Sequence, residues 1–155
     1  MDILDKPNLT ETDITDAVYV MLSKLTVDST DSRARKLFKS VIKNNVPVWT
    51  AVKGVPAAAF FIAESEYSVT KFNSTTKVTV AIYLYNRHDT NSLSSNDILS
   101  PLINGVRRGI TTLKGPAILS STVVSAKRDG GAIHPFTVAE VTAEIEFVEA
   151  LNCAN

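Results

Sequence analysis

Glu140, Glu144 and Glu146 stand at even spacings in the segment Thr137 to Val148 (TVAEVTAEIEFV), and on an extended chain even spacing puts all three carboxylates on one face. Paired carboxylates are what general acid–base and glycosidic chemistry requires. That chemistry also needs a companion, and no histidine, serine motif or metal triad accompanies these residues in the sequence. Carboxylates on a strand face need no substrate to explain them, because they keep a sheet soluble and discourage edge pairing. His88 and His134 fall in neither HxxxH nor HExxH and read as loop residues, with His134, ahead of Pro135, suited to a turn or an interface contact. Cys153 has no histidine or cation beside it to activate a thiolate and reads as a bland tail cysteine. The six glycines form neither a Walker loop nor GxGxxG, which argues against a phosphate cradle. No enzymatic activity, cofactor or metal is expected.

Cations are equally uninformative as a nucleic-acid signal. Arg33, Arg35, Lys36, Lys39 and Lys43 alternate with Leu37, Phe38, Val41 and Ile42 at core spacing, so they read as the wet face of a short basic helix over Ser32 to Asn44. Arg107 and Arg108 read as the wet side of a helix near its C-terminus, where cations are favoured. Trp49 and Tyr85 read as core or interface anchors rather than base-stacking platforms.

The chain has 155 residues, 45% of them hydrophobic, enough for one domain burying roughly two thirds of its unfolded surface. Sixteen acidic residues balance sixteen basic ones, so no general attraction to nucleic acid or an anionic membrane is expected. The charge is nonetheless segregated. Residues 1–31 carry seven acids against Lys6 and Lys24, whereas residues 32–43 carry five cations and no acid, a polarity suited to subunit or partner contact. A single cysteine excludes an intrachain disulfide and a multi-cysteine metal site. The polar, acidic start MDILDKPNLTETD lacks the features of a signal peptide, and no apolar run has the roughly 18 residues of a membrane span, so the protein is expected to be soluble and intracellular when made.

The elements that carry these residues follow from periodicity. Residues 1–9 read as a flexible arm, and Thr10 to Asp13 as a capping box opening a helix with Ile14, Ala17, Val18, Met21, Leu22 and Leu25 on one side. Two extended stretches, VPVWTAV and AAAFFIAESEYSV, are separated by Gly54 and Pro56. The segment Lys77 to Tyr85 (KVTVAIYLY) alternates strictly, with Val78, Val80, Ile82 and Leu84 opposing Lys77, Thr79, Ala81, Tyr83 and Tyr85. A second helix follows from Ser95 or Asn96, with Pro101 in or near its first turn and Ile98, Leu102, Val106, Ile110 and Leu113 along one side. Ala117 to Arg128 reads as a strand, Asp129 to Pro135 as a flexible connection, and residues 150–155 as a frayed tail. The fold class is α+β, a mainly antiparallel sheet of four to five strands packed against an N-terminal and a central helix.

In this order of elements the chain resembles the tail terminator proteins, also called tail completion or tail-to-head joining proteins, of long-tailed bacteriophages. The likeness lies in the N-terminal amphipathic helix, VPAAAFFIAESEYSV after a GxP turn, KVTVAIYLYNR, the helix SNDILSPLINGVRRGI, and the closing pair ILSSTVVSAKRDGGAIHPFTVAEVTAEIEFV. The resemblance implies a virion protein at the neck, assembled in the host cytoplasm into a ring of usually six subunits. Such a ring caps the tail tube, stops its polymerisation, presents a face to the head-completion (stopper) protein, and lets DNA pass non-specifically through its lumen, with no membrane involved. A closed head-to-tail ring keeps its two axial faces distinct. A DNA conduit is best lined by acidic or neutral groups, since many phosphate contacts would slow passage. On this reading Glu140, Glu144 and Glu146 face either the lumen or the neighbouring subunit, with Lys77 and Arg128 as counter-charges, and the loop bearing Asp129, His134 and Phe136 contacts a partner. The competing readings are a stopper or adaptor of the neck and a small cytosolic binding domain with no readable site.

Overall fold

Thr10 and Asp13 set the register of the first helix: the Thr10 hydroxyl accepts from the Asp13 amide at 3.1 Å, and the Asp13 carboxylate accepts from the Thr10 amide at 3.0 Å. In this computed structural model, which describes residues 2–27, 35–43, 54–70, 74–87, 95–129 and 136–149, helix α1 accordingly runs Glu11–Lys24. Ile14, Ala17, Val18, Met21 and Leu22 are its buried stripe. Burial alone would raise the Asp13 pKa, but the hydrogen bonds from Thr10 and the Lys6 ammonium at 3.1 Å outweigh it and the pKa is lowered. A lowered carboxylate pKa contributes stability above the unfolded value of 3.8 and loses it as pH falls through the folded value. Thr10→Ala should therefore cost about 1 kcal/mol of unfolding free energy at neutral pH and less in acid, read from urea midpoints at pH 7 and pH 3.

The segment preceding α1 is not the loose arm that Pro7 and Asn8 lead one to expect. Ile3–Asp5 form a 3-10 turn capped by the Asp2 side chain, Leu4 and Leu9 are buried, and the Leu9 amide donates to the Val148 carbonyl at 2.9 Å. Two apolar side chains spaced across the proline are enough to dock a short polar segment. The tail at residues 150–155 lies outside the described residues.

Five strands form one sheet: β1 (Ser40–Ile42), β2 (Ala57–Val69), β3 (Ser74–Arg87), β4 (Ile118–Arg128) and β5 (Phe136–Val148), in the order β1-β2-β3-β5-β4. All pairs are antiparallel except β1 with β2. The basic helix expected over Ser32 to Asn44 is absent from the described part of that segment. Residues 40–42 pair with Ala57–Ala59 instead, and the adjacent Leu37 and Phe38 are both buried. Open backbone groups on β2 override a weak helical period there. The stretch VPVWTAV lies outside the described residues.

Helix α2 (Ser95–Thr111) crosses from β3 to β4 and buries Leu99, Leu102, Ile103, Val106 and Ile110 on the same side of the sheet as α1. Pro101 lies inside this helix on its exposed side, where it removes one backbone donor. Gly109 abuts the Met21 side chain of α1, so a β-carbon there would force that side chain to shift. Val78, Val80, Ile82 and Leu84 of β3 and Ala139, Val141, Ala143, Ile145 and Phe147 of β5 complete the core from the sheet. The strict alternation of both strands is thus the alternation between the face on which α1 and α2 lie and the opposite face.

Candidate interaction surface

The face of the sheet away from the helices divides into a charged half and an aromatic half, and register decides which residues share it. Lys77 of β3 lies opposite Glu66 of β2 on one side and Glu146 of β5 on the other. Its ammonium is 3.6 Å from Glu66 Oε2 and 3.9 Å from Glu144 Oε2. One cation is therefore shared among carboxylates of both flanking strands. These groups are exposed by about a third to two thirds, 39% for Lys77, 64% for Glu66 and 36% for Glu144, so each pair contributes only about 0–1 kcal/mol. Their weight lies in the pattern they present.

Glu140 stands further along β5, opposite Tyr83 of β3 and Lys127 of β4. By register it is Lys127 that stands opposite Glu140, whereas Arg128, the expected counter-charge, pairs with Ala139 on the helix-side register. Strict alternation from Val123 would have brought Arg128 outward, but a β-bulge between Val123 and Ser125 shifts the parity by one residue. Glu66 joins the cluster for a similar reason: a bulge between Ile62 and Glu64 puts Glu64 and Glu66 in register with Thr79 and Lys77. Neither could be read from spacing alone.

The aromatic half is a ladder across two strands. Phe61 stacks on Tyr83 with centroids 6.0 Å apart, and Tyr83 on Tyr85 at 6.4 Å. Ala57 and Ala59 lie opposite Tyr85 and Tyr83 and make room for the rings to lie flat, so that Ala57, Ala59 and Tyr85 form a second small buried cluster joined by Ile42 and Val138. Tyr83 and Tyr85 share a face because they are two residues apart, a signal present in the sequence. Phe61 is fixed by pairing.

Burial, and secondarily Tyr83, push the Tyr85 hydroxyl up to about 12, while burial and then Glu140 raise that of Tyr83. A phenol whose pKa is higher folded than unfolded contributes stability that is intact below 10 and is lost as pH rises through the folded value. Stability should thus fall between pH 10 and about 12, and Tyr85→Phe should flatten that fall, as followed by tyrosinate absorbance and circular dichroism together.

Of the predicted partner loop, the Asp129 amide donates to the Val138 carbonyl at 3.0 Å, and Phe136 opens β5 opposite Arg87, half-buried. His134, like His88 and Cys153, lies outside the described residues. Among the described residues no group of three or more histidine, cysteine, aspartate or glutamate side chains could hold a metal, and no helix is long and apolar enough to cross a membrane. The surface offers arrayed charge and stacked rings, the means of non-covalent recognition.

No family model and no curated protein matches this sequence. Its fold is similar to that of a chain in the virion of a native gene transfer agent particle. That likeness has a TM-score of 0.56, spans 87% of this chain and 94% of the other, and comes with 9% identity. What the two chains share is the fold.

Proposed function

We propose that this chain is a structural protein of a phage-like virion and, within that class, the tail terminator whose ring caps the tail tube, halts its growth and joins tail to head. The observation that carries this reading is the fold likeness to a virion chain that runs through nearly all of both molecules. A charged and aromatic sheet face suits it, because a protein that works by surface complementarity needs patterned faces more than a pocket. Its partners are further copies of itself, the tube protein below and the head-completion protein above. The acidic half of the sheet face, Glu140, Glu144 and Glu146, lies towards the DNA path or the neighbouring subunit.

Mass is the first test. Light scattering of the purified protein, free and after addition to tail tubes, should give a particle of several chains that decorates one end of each tube. A chain that stays monomeric under both conditions and binds a small ligand would replace this reading with that of a cytosolic binding domain. A ring that binds filled heads and ignores tubes would replace it with that of a stopper.

A further inference from the structure

Between Asp97 and Asp129 the chain carries five cations, Arg107, Arg108, Lys114, Lys127 and Arg128, and no acid. Acids and bases number sixteen each in the whole chain, so outside this stretch acids exceed bases by five. The stretch builds β4 and all but the first turn of α2, which makes that flank of the molecule basic.

Helical spacing gathers part of this charge. Asn104, Arg107, Arg108 and Thr111 recur at three- and four-residue steps, all exposed, along about 10 Å of α2. With Thr122 and Val123 of β4 they line a groove whose amide, guanidinium and hydroxyl groups can all donate hydrogen bonds and which holds no carboxylate. The Ser121 hydroxyl donates to the Ile110 and Leu113 carbonyls at 2.9 and 3.1 Å, which ties this end of α2 to the helix side of β4. Thr122 stands in register with Glu144 on the other side of the sheet, so the groove opens partly sideways, at the β4 flank.

On the face of the sheet away from the helices, register assembles the complement. Glu64, Thr79 and Glu144 stand side by side on β2, β3 and β5, and Glu66, Lys77 and Glu146 form the next row. Two rows across three strands make a patch about 7 Å along the strands and about 10 Å across them. Among its residues four carboxylates surround one ammonium, so the patch is acidic.

We propose that the groove of α2 and β4 in one copy holds the patch of Glu64, Glu66, Glu144 and Glu146 in a second copy. The two surfaces are of similar length, and the planar fork of each arginine matches a carboxylate in two hydrogen bonds. A second copy is favoured over DNA because the chain is neutral as a whole and carries both halves of the match. The surfaces face different ways on each copy, one on the helix side and one opposite it, so the contact is head-to-tail. Because the groove opens sideways, each copy is turned relative to the last, and such a contact closes into a ring when its rotation divides the circle. This inference rests on the ring reading above and names the two surfaces that build the ring, with the acidic half of the sheet face set against the neighbouring subunit.

Charge reversal on each surface tests it. Arg107→Glu with Arg108→Glu in one variant, and Glu144→Lys with Glu146→Lys in another, should each weaken self-association roughly a hundredfold, since like charges then face each other. The quadruple variant has zero net charge again and surfaces that attract with their signs exchanged, so it should regain most of the wild-type mass in light scattering. A quadruple variant no better than either pair, with wild type assembling normally, would overturn the contact and leave the ring reading standing. An Arg107 and Arg108 variant that assembles like wild type would do the same, and its loss of binding to a short DNA duplex in gel shifts would give the groove to nucleic acid. Wild type that stays monomeric, free and on tubes, would defeat the ring reading and this inference together. Should a variant lose its circular dichroism, crosslinking decides the matter: Thr111→Cys with Glu66→Cys in a Cys153→Ser chain, treated with a short bismaleimide, should give multimers, and monomers only would refute the contact.

Discussion

Phe147→Ala should destabilise the protein by about 3–5 kcal/mol, the largest stability effect expected of a single substitution here. Phe147 has no exposed surface and lies in register with Thr76 on one side and Ile118 on the other, within the core under the helices. Removing its ring leaves a cavity that the surrounding strands cannot collapse to fill, because β5 is held by ladders on both sides. Small domains have only about 5–15 kcal/mol in total, so the loss is a large part of the whole. Urea unfolding should show it as a shift in midpoint at nearly constant slope, with Val69→Ala, at a position 74% exposed, as a control within about 0.5 kcal/mol of wild type. A loss below about 1 kcal/mol for Phe147→Ala would contradict the packing described.

Glu144→Lys with Glu146→Lys should leave the fold intact and abolish function. Lys77, 3.9 Å from Glu144 and opposite Glu146, would face two further lysines, at a cost of about 0.2–1 kcal/mol for each like-charged cross-strand pair. That cost is small against the change in surface: two carboxylates become two ammonium groups and the face turns from acidic to basic. If this face lies towards the DNA, basic groups would hold phosphates and slow passage in a salt-dependent way. If it lies against the next subunit, assembly itself should fail. Infectivity and ring mass measured on the same variant separate the two, and normal values for both would reject either placement.

How much of this was legible beforehand varied with the physics of each element. β3 and β5 have α1 and α2 on one face, so their sequences carry a clean period of two, and the common face of Glu140, Glu144 and Glu146 followed directly. α1 was equally plain, since Thr10 and Asp13 cap it locally. Where long-range pairing decides, spacing misled. Val41 and Ile42 fit a helical stripe, yet the backbone of Ala57–Ala59 takes them as a strand. A bulge is one residue with no reliable local mark, and the bulge at Val124 exchanged Lys127 for Arg128 on the charged face. The aromatic ladder was half visible, as Tyr83 and Tyr85 share a parity, while Phe61 reached it only through the register of β2 with β3. Docking of residues 2–9 was hidden because Leu4 and Leu9 are isolated apolar residues in a polar segment, and their burial depends on distant partners such as the Val148 carbonyl.

Deleting the gene from its phage and examining the products by electron microscopy bears most directly on the proposed role. Terminator function predicts tails of uncontrolled length, without heads, beside heads filled with DNA, with normal tails restored when the wild-type chain is supplied in trans. Tails of normal length beside heads that leak their DNA would contradict it.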